Sequence, residues 1–247
     1  MRLGTHRADV FQTLWIGRRL SALECLSLMS FVQNGYRVEL YRYGHIDGVP
    51  DGVKQRDAQR IVAQERIFRY PAGGFGASSV AGFADLFRYK LLADRGGWWF
   101  DTDLICLRRI EWRSPYFFAR EDDTKINNAL MRAPKGSPLM KLLYERALAR
   151  VAQPTWGETG PVLVTSVVTG SAFERFVVPR ERVYPLHYTE AAAAFGDDPH
   201  ERCWRQLDGA DTVHLWNQIL EAEGIDKDAR FPATSVYARL QRAYGTH

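Results

Sequence analysis

Asp101 and Asp103 stand two residues apart, directly after the apolar run Gly97-Trp98-Trp99-Phe100. On a strand that continues through this point, side chains at i and i+2 share a face, so both carboxylates project together and Thr102 points away. Two carboxylates so close repel one another unless a cation sits between them. Oxygen ligands with open coordination positions suit Mg²⁺ or Mn²⁺, ions that commonly complete their shell with substrate phosphate oxygens. The chemistry expected here is capture of a metal-bound diphosphate. Asp85 and Arg88 are i and i+3 on the preceding segment and form either a surface ion pair or, where their face borders the strand end, an acceptor and a rigid guanidinium fork for sugar hydroxyls. His214 is the third metal-ligand candidate, since a neutral imidazole suits Mn²⁺ better than Mg²⁺.

The elements that must position these groups follow from periodicity. Val80, Phe83, Phe87 and Leu91, with Leu86 alongside, recur at helical spacing, so this helix packs inward; Ser78 or Ser79 is its expected N-cap, and Gly96-Gly97 its stop. Upstream, Phe11 to Ile16 reads as a strand, Leu20 to Gln33 as a helix ending at Gly35, and Val38 to Tyr43 as a second strand. That order favours a right-handed βαβ unit and a largely parallel sheet, the nucleotide-binding half of an α/β fold. Gly44 to Gly52 with Lys54-Gln55-Arg56-Asp57 reads as a surface connection. Downstream come strands at Tyr116 to Ala119 and near Asn128 to Arg132, and a helix from Pro138 to about Arg150. In Thr159 to Thr169 the Val and Thr content favours a strand.

Taken together, Asp85-x-x-Arg88-Tyr89 and Gly96-Gly97-x-x-x-Asp101-x-Asp103 resemble the DXD-type glycosyltransferases of the glycosyltransferase family 32 kind and related sugar-transferring toxin domains. Further blocks fit in family order. Leu14-Trp15-Ile16-Gly17 looks like the opening strand, Asn128 with Ala133-Pro134-Lys135-Gly136-Ser137-Pro138 like the segment after the DXD, and Thr159-Gly160-Pro161 and His214-Leu215-Trp216 like two later blocks. The resemblance implies a single GT-A-like domain with a Rossmann-type, mostly parallel central sheet flanked by helices. It divides the chain into a nucleotide-binding half, about 8–107, and an acceptor and closing half, about 108–247, and it reads 159–169 as a helix. It implies a nucleotide-sugar donor, with UDP first, a hydroxyl acceptor such as a glycan, and retention of anomeric configuration. Metal binding falls to Asp103, with Asp101 and His214; Asp85, Arg88 and Asn128 face the sugar. Donor contacts fall to Trp15, Ile16, Tyr89, Gly97 and Trp216, with the Trp15 ring against the nucleobase. The chain departs from the pattern after Trp216, where Asn217-Gln218-Ile219-Leu220 lacks the family's further tryptophan.

Other candidates carry less. Glu121-Asp122-Asp123 with Thr124-Lys125 reads as a solvated turn. Gly73-Gly74-Phe75-Gly76 lacks the Gly-Lys-Ser/Thr and preceding apolar strand of a phosphate loop, and fits a mobile flap better. His187 has no partner at any telling spacing. An apolar strand followed by D-x-D is also how an aspartyl-phosphate hydrolase presents its nucleophile. There, however, the motif opens the domain and is followed two residues on by Thr or Val, whereas here it lies at residue 101 and Ile105 takes that place. A noncatalytic nucleotide-sugar-binding module is the remaining alternative, because a fold does not dictate an activity.

Composition sets the limits. With 247 residues, 46% of them hydrophobic, the chain has material for one sizeable core. A net charge of +4 without a concentrated basic block argues against nucleic acid, while allowing anionic substrates or peripheral association at a membrane surface. Cys25, Cys106 and Cys203 are odd in number and widely spaced, so neither a disulfide framework nor a zinc knuckle is expected and a reducing, cytoplasmic compartment fits. The amino terminus, with Arg2, His6, Arg7 and Asp9, lacks a signal-peptide core, and no run approaches the roughly 18 apolar residues of a spanning helix.

Overall fold

A computed structural model describes residues 9–245; Arg2, His6 and Arg7 lie outside the described residues. The chain begins with β1 (Val10–Trp15), α1 (Ala22–Gln33) and β2 (Arg37–Arg42), the two strands parallel with Phe11 opposite Val38. Ser21 and Glu24 close a capping box at the start of α1, each side chain bonding the other's backbone N–H. The following segment corrects the sequence reading. Residues 54–57 belong to a strand, β3 (Val53–Asp57), parallel to β2 at the sheet edge. No apolar alternation marks it, because an exposed edge strand protects itself from foreign pairing with charge. Arg56 instead reaches the buried Glu39 of β2 at 2.5 Å.

α2 (Ala81–Arg95) buries Phe83, Leu86, Phe87, Leu91 and Leu92 along one side. Its N-cap is Val80 in place of the expected serine, although the Ser79 hydroxyl accepts from Ala81 N at 3.2 Å. β4 (Gly97–Phe100) follows at once and is succeeded by β5 (Leu104–Cys106), β6 (Phe117–Arg120) and β7 (Ile126–Ala133). Next come α3 (Pro138–Leu148), α4 (Pro161–Val168) and β8 (Val177–Val178). The chain closes with α5 (Arg202–Gln206), β9 (Thr212–His214), α6 (Asn217–Ala222) and α7 (Val236–Tyr244). Within 159–169 the helix prevails over the strand preference of its valines and threonines. Pro161 fits the first helical turn, and Leu163, Val164 and Val168 are buried.

The main sheet has seven strands in the order β3-β2-β1-β4-β7-β6-β8. Only β7 runs against the others, so the sheet is mostly parallel, as expected. Alternation along the strands divides the core into two layers. Phe11, Trp98 and Phe100 pack with α1 and α7 on one face, and Leu14, Trp99 and Met131 with α2, α3 and α4 on the other. β5 and β9 form a separate antiparallel pair beyond the end of β4, with Leu104 opposite His214. No helix among the described residues is long and apolar enough to cross a membrane.

Candidate active site

Trp99 is on the α2 face of β4, and Asp101, two residues on, keeps to that side: the Trp99 indole N–H donates to Asp101 Oδ1 at 2.7 Å. The strand then ends. Leu104 N donates to Asp101 O at 3.0 Å, closing a turn, so Asp101 and Asp103 do not share a face by strand alternation as the sequence suggested. The turn brings them together by another route. It hands the chain to β5, whose pairing with β9 sets His214 beside Asp103, with Nε2 3.0 Å from Oδ1. Leu215 N donates to Asp103 O at 2.9 Å, and Asn217 N donates to Asp103 Oδ2 at 2.7 Å. For that amide to point inward, Trp216 adopts a left-handed φ of 55°, a strain of about 1–3 kcal/mol that such sites hold when the surroundings enforce it.

One potential ligand atom each from Asp101, Asp103 and His214 lies within 4.8 Å of the other two. His214 is 6% exposed; its Nε2 lies 3.0 Å from Asp103 Oδ1, an ion pair when the ring is protonated, and its Nδ1 has no hydrogen-bond partner among the described residues. A buried imidazole clustered with two carboxylates fits a divalent cation that accepts both oxygen and nitrogen ligands. The electrostatics differ across the trio. Burial drives the Asp101 carboxyl up to about 6, against Arg88 and with help from the Asp103 charge. Burial acts the same way on Asp103, but His214 and the Asn217 amide outweigh it and hold that carboxyl down at about 2. At His214 burial opposes the charged ring, and the two carboxylates reverse this and raise it above its ordinary value.

α2 contributes a second set. Asp85 Oδ1 accepts from Asn128 Nδ2 at 2.8 Å and Oδ2 from the Thr159 hydroxyl at 2.9 Å. Arg88 lies with Nη2 3.0 Å from Asp101 Oδ1 and 3.4 Å from Asp85 Oδ1, while Nη1 donates to the Asn128 carbonyl at 2.5 Å. Its guanidinium is 4.9 Å from the centre of the Trp99 ring. Much of the donor and acceptor capacity that the sequence reading aimed at sugar hydroxyls is thus engaged within the protein. The Asp85 carboxyl is raised by burial, with Arg88, Asn128 and Thr159 opposing. Gly160 presses on the same carboxylate; a side chain there would begin 2.8 Å from Oδ2.

These groups line a cavity of about 870 Å³ whose walls include Trp15, Ile16, Asp85, Arg88, Asp101, Asp103, Asn128, His214 and Trp216. Trp15 folds over Gly17 and donates from its indole to Arg19 O at 3.0 Å, and the Trp216 indole donates to Leu186 O at 3.0 Å. Two expected donor contacts fall elsewhere. Tyr89 is fully buried behind Asn128, receiving its Nδ2 at 3.1 Å and donating to Thr159 O at 2.9 Å. Gly97 begins β4 at the opposite end of that strand, near Gln12 and the Val10 carbonyl. Neither lines the cavity.

Glu121, expected in a solvated turn, and Thr13, not singled out in the sequence, both line the cavity. Asp122 does bind its own turn, accepting from Thr124 N and Lys125 N at 2.8 Å each, as a solvated turn should. Glu121 does not share that fate: it is buried, it faces the cavity, and it accepts from Asn127 Nδ2 at 2.6 Å and Lys125 Nζ at 3.0 Å. β6 ends at Arg120, and Asn127 and Lys125 hold the Glu121 carboxylate. Thr13 of β1 has a buried hydroxyl with no partner among the described residues and lies in the cavity wall. Nothing in the sequence distinguishes it from a core threonine. His187 bonds Thr189 in a local turn, away from this trio.

Two family models match the chain: the glycosyltransferase sugar-binding region containing a DXD motif over residues 54–126, and the alpha 1,4-glycosyltransferase conserved region over 133–245. The lactosylceramide 4-alpha-galactosyltransferase of Pongo pygmaeus is 23% identical over 167 residues, covering 63% of this chain and 76% of that protein. The PaToxG glycosyltransferase superposes with a TM-score of 0.50 at 13% identity, over 96% of this chain and 84% of that one. The ligand-free glycosyltransferase domain from the YGT toxin gives 0.50 at 10% identity, over 95% and 99%. At such identities the structural likeness establishes a shared fold.

Proposed function

We propose that this chain, which belongs to the DXD-motif glycosyltransferases and has their GT-A fold, moves a hexose from UDP to a hydroxyl of a glycan with retention of configuration. The observation that carries the reading is the convergence of Asp101, Asp103 and His214 on the wall of a cavity large enough for a nucleotide sugar. Mn²⁺, or Mg²⁺, held there would offset the negative charge that develops on the departing diphosphate. Asp103 is the principal ligand, ionised and oriented by the Asn217 amide. Asp101 is held by Trp99 and Arg88, and acts beside it or through water. The Asp85–Asn128–Thr159 set fixes the wall that faces the sugar. Trp15 supports the base from the half spanning about 8–107, and Trp216 helps to exclude water from the half spanning about 108–247.

In the reaction the bond between the anomeric carbon and the phosphate oxygen breaks, and its electron pair leaves with UDP. The acceptor oxygen forms the new bond on the same face, and its proton passes to the departing phosphate oxygen. Retention is supported by the alpha linkage in the names of the matching relative and family model, because common UDP-hexoses are themselves α-linked. An enzyme of this kind serves polysaccharide or glycolipid assembly, with a cytoplasmic or membrane-peripheral location as the natural setting.

The test is donor hydrolysis across a panel of UDP-sugars with and without Mn²⁺. Asp103→Ala and Asp101→Ala are expected to lose at least about a hundredfold of the metal-dependent rate, the scale on which removal of a transition-state charge contact is felt. Thermal denaturation should show both variants folded. Wild-type rates in either variant would remove that residue from the assignment.

A further inference from the structure

Five large hydrophobic side chains are exposed among the described residues, and three of them, Phe75, Trp156 and Val162, line the cavity just described. Phe75 is 46% exposed and Trp156 36%, with ring centres 5.0 Å apart and planes at 84°. Tyr70 backs the indole at 5.1 Å. Scattered single apolar residues need no explanation, but a contiguous aromatic patch at the edge of a binding cavity does.

The patch is held in place. The loop that carries Phe75 is closed at its base, where Tyr70 N donates to Ser79 O at 3.0 Å and Ser78 N to Tyr70 O at 3.2 Å. Arg69 Nη1 donates to Ser78 O at 2.8 Å across the same base. At the tip the Trp156 ring lies directly on Gly76; a Cβ there would fall 2.1 Å from Cε3 of the indole. The glycine string that lacks the residues of a phosphate loop therefore has a different purpose, which is to let the indole sit flush against backbone. From the other side, Trp156 is three residues before Thr159, whose hydroxyl bonds Asp85, and Val162 is in the first turn of α4. The aromatic patch is thus continuous with the wall assigned to the sugar.

We propose that Phe75 and Trp156 form the acceptor subsite and that their occupant is a pyranose ring of the acceptor glycan. This deepens, and rests on, the glycosyl-transfer reading above. A pyranose has one face of C–H bonds and a rim of hydroxyls. Its C–H face stacks on an indole as other apolar rings do, and the rim remains free to turn one hydroxyl into the cavity. A pyranose offers hydroxyls to the cavity's polar side chains as well as an apolar face to the rings, and a lipid chain offers only the second.

The test compares wild type with Trp156→Ala, Phe75→Ala and Trp156→Phe, using methyl pyranosides and lactose as acceptors and the donor that the wild type hydrolyses best. The ratio of transfer to hydrolysis is expected to fall about tenfold in Trp156→Ala through a raised acceptor KM, less in Phe75→Ala, and to recover in Trp156→Phe. Phe75 is exposed enough that its variant will fold, and melting curves verify the others. Wild type that hydrolyses donor but glycosylates none of these pyranosides, or Trp156→Ala with an unchanged ratio, overturns the subsite alone. Loss of binding to anionic phospholipid vesicles with an unaltered acceptor KM reassigns the patch to a membrane. A wild type that turns over no nucleotide sugar overturns the transfer reading itself.

Discussion

Asp101 and Asp103 border one cavity but hold their protons very differently. Asp103 is held toward its ionised form, because His214 and the Asn217 amide favour its charge over the cost of burial. Burial pushes the Asp101 carboxyl up to about 6, and the two carboxylates raise the imidazole of His214 above its ordinary value, so both hold protons more readily than their free counterparts. A cation that uses them must displace those protons. Mn²⁺ affinity is therefore expected to fall as the pH drops from about 7.5 to about 5.5, with proton release on binding growing as the pH drops. Calorimetry in buffers of different ionisation enthalpy measures that release directly. Binding that ignores pH across the window would show that neither Asp101 nor His214 is a ligand.

Among the elements, α2 and β4 are joined by a corner with no room for a side chain. Gly96 has φ 66°, and a Cβ there would lie 2.3 Å from the amide nitrogen of Lys135. Gly96→Ala combines an unfavourable backbone with a clash against backbone, and is expected to cost more than about 2 kcal/mol in urea unfolding. A loss below about 0.5 kcal/mol would mean that the 134–136 segment simply moves aside. This corner was legible in the sequence because a long apolar stripe, two glycines and an aromatic strand agree with one another. β3 was not, since an edge strand made of charged residues has no hydrophobic period to read. The D-x-D turn was misread for a related reason: i and i+2 placement applies only while the strand lasts, and β4 stops at Phe100. Asp85, Arg88, Asn128 and His214 could be named from sequence, but not their mutual bonds. Those depend on β7 and β9 arriving from distant parts of the chain, and the engagement of Tyr89 behind Asn128 is a packing fact with no local signal.

At the scale of the whole molecule, the cavity takes its walls from both ends of the chain, so a donor that fills it binds only the folded state. UDP with Mn²⁺ at a hundredfold excess over Kd is expected to add about 2.7 kcal/mol of stability. For a domain of this size that raises Tm by about 5–10 °C. The shift should vanish in Asp103→Ala, and an equal shift for UDP in the presence of a chelator would separate nucleotide binding from the carboxylate trio. The short pairing of β5 with β9 bears on how the protein is made. Asp101 and Asp103 leave the ribosome well before His214 and its strand. A nascent or prematurely terminated chain that stops before Thr212 carries both aspartates yet lacks the imidazole and the amide that orients Asp103.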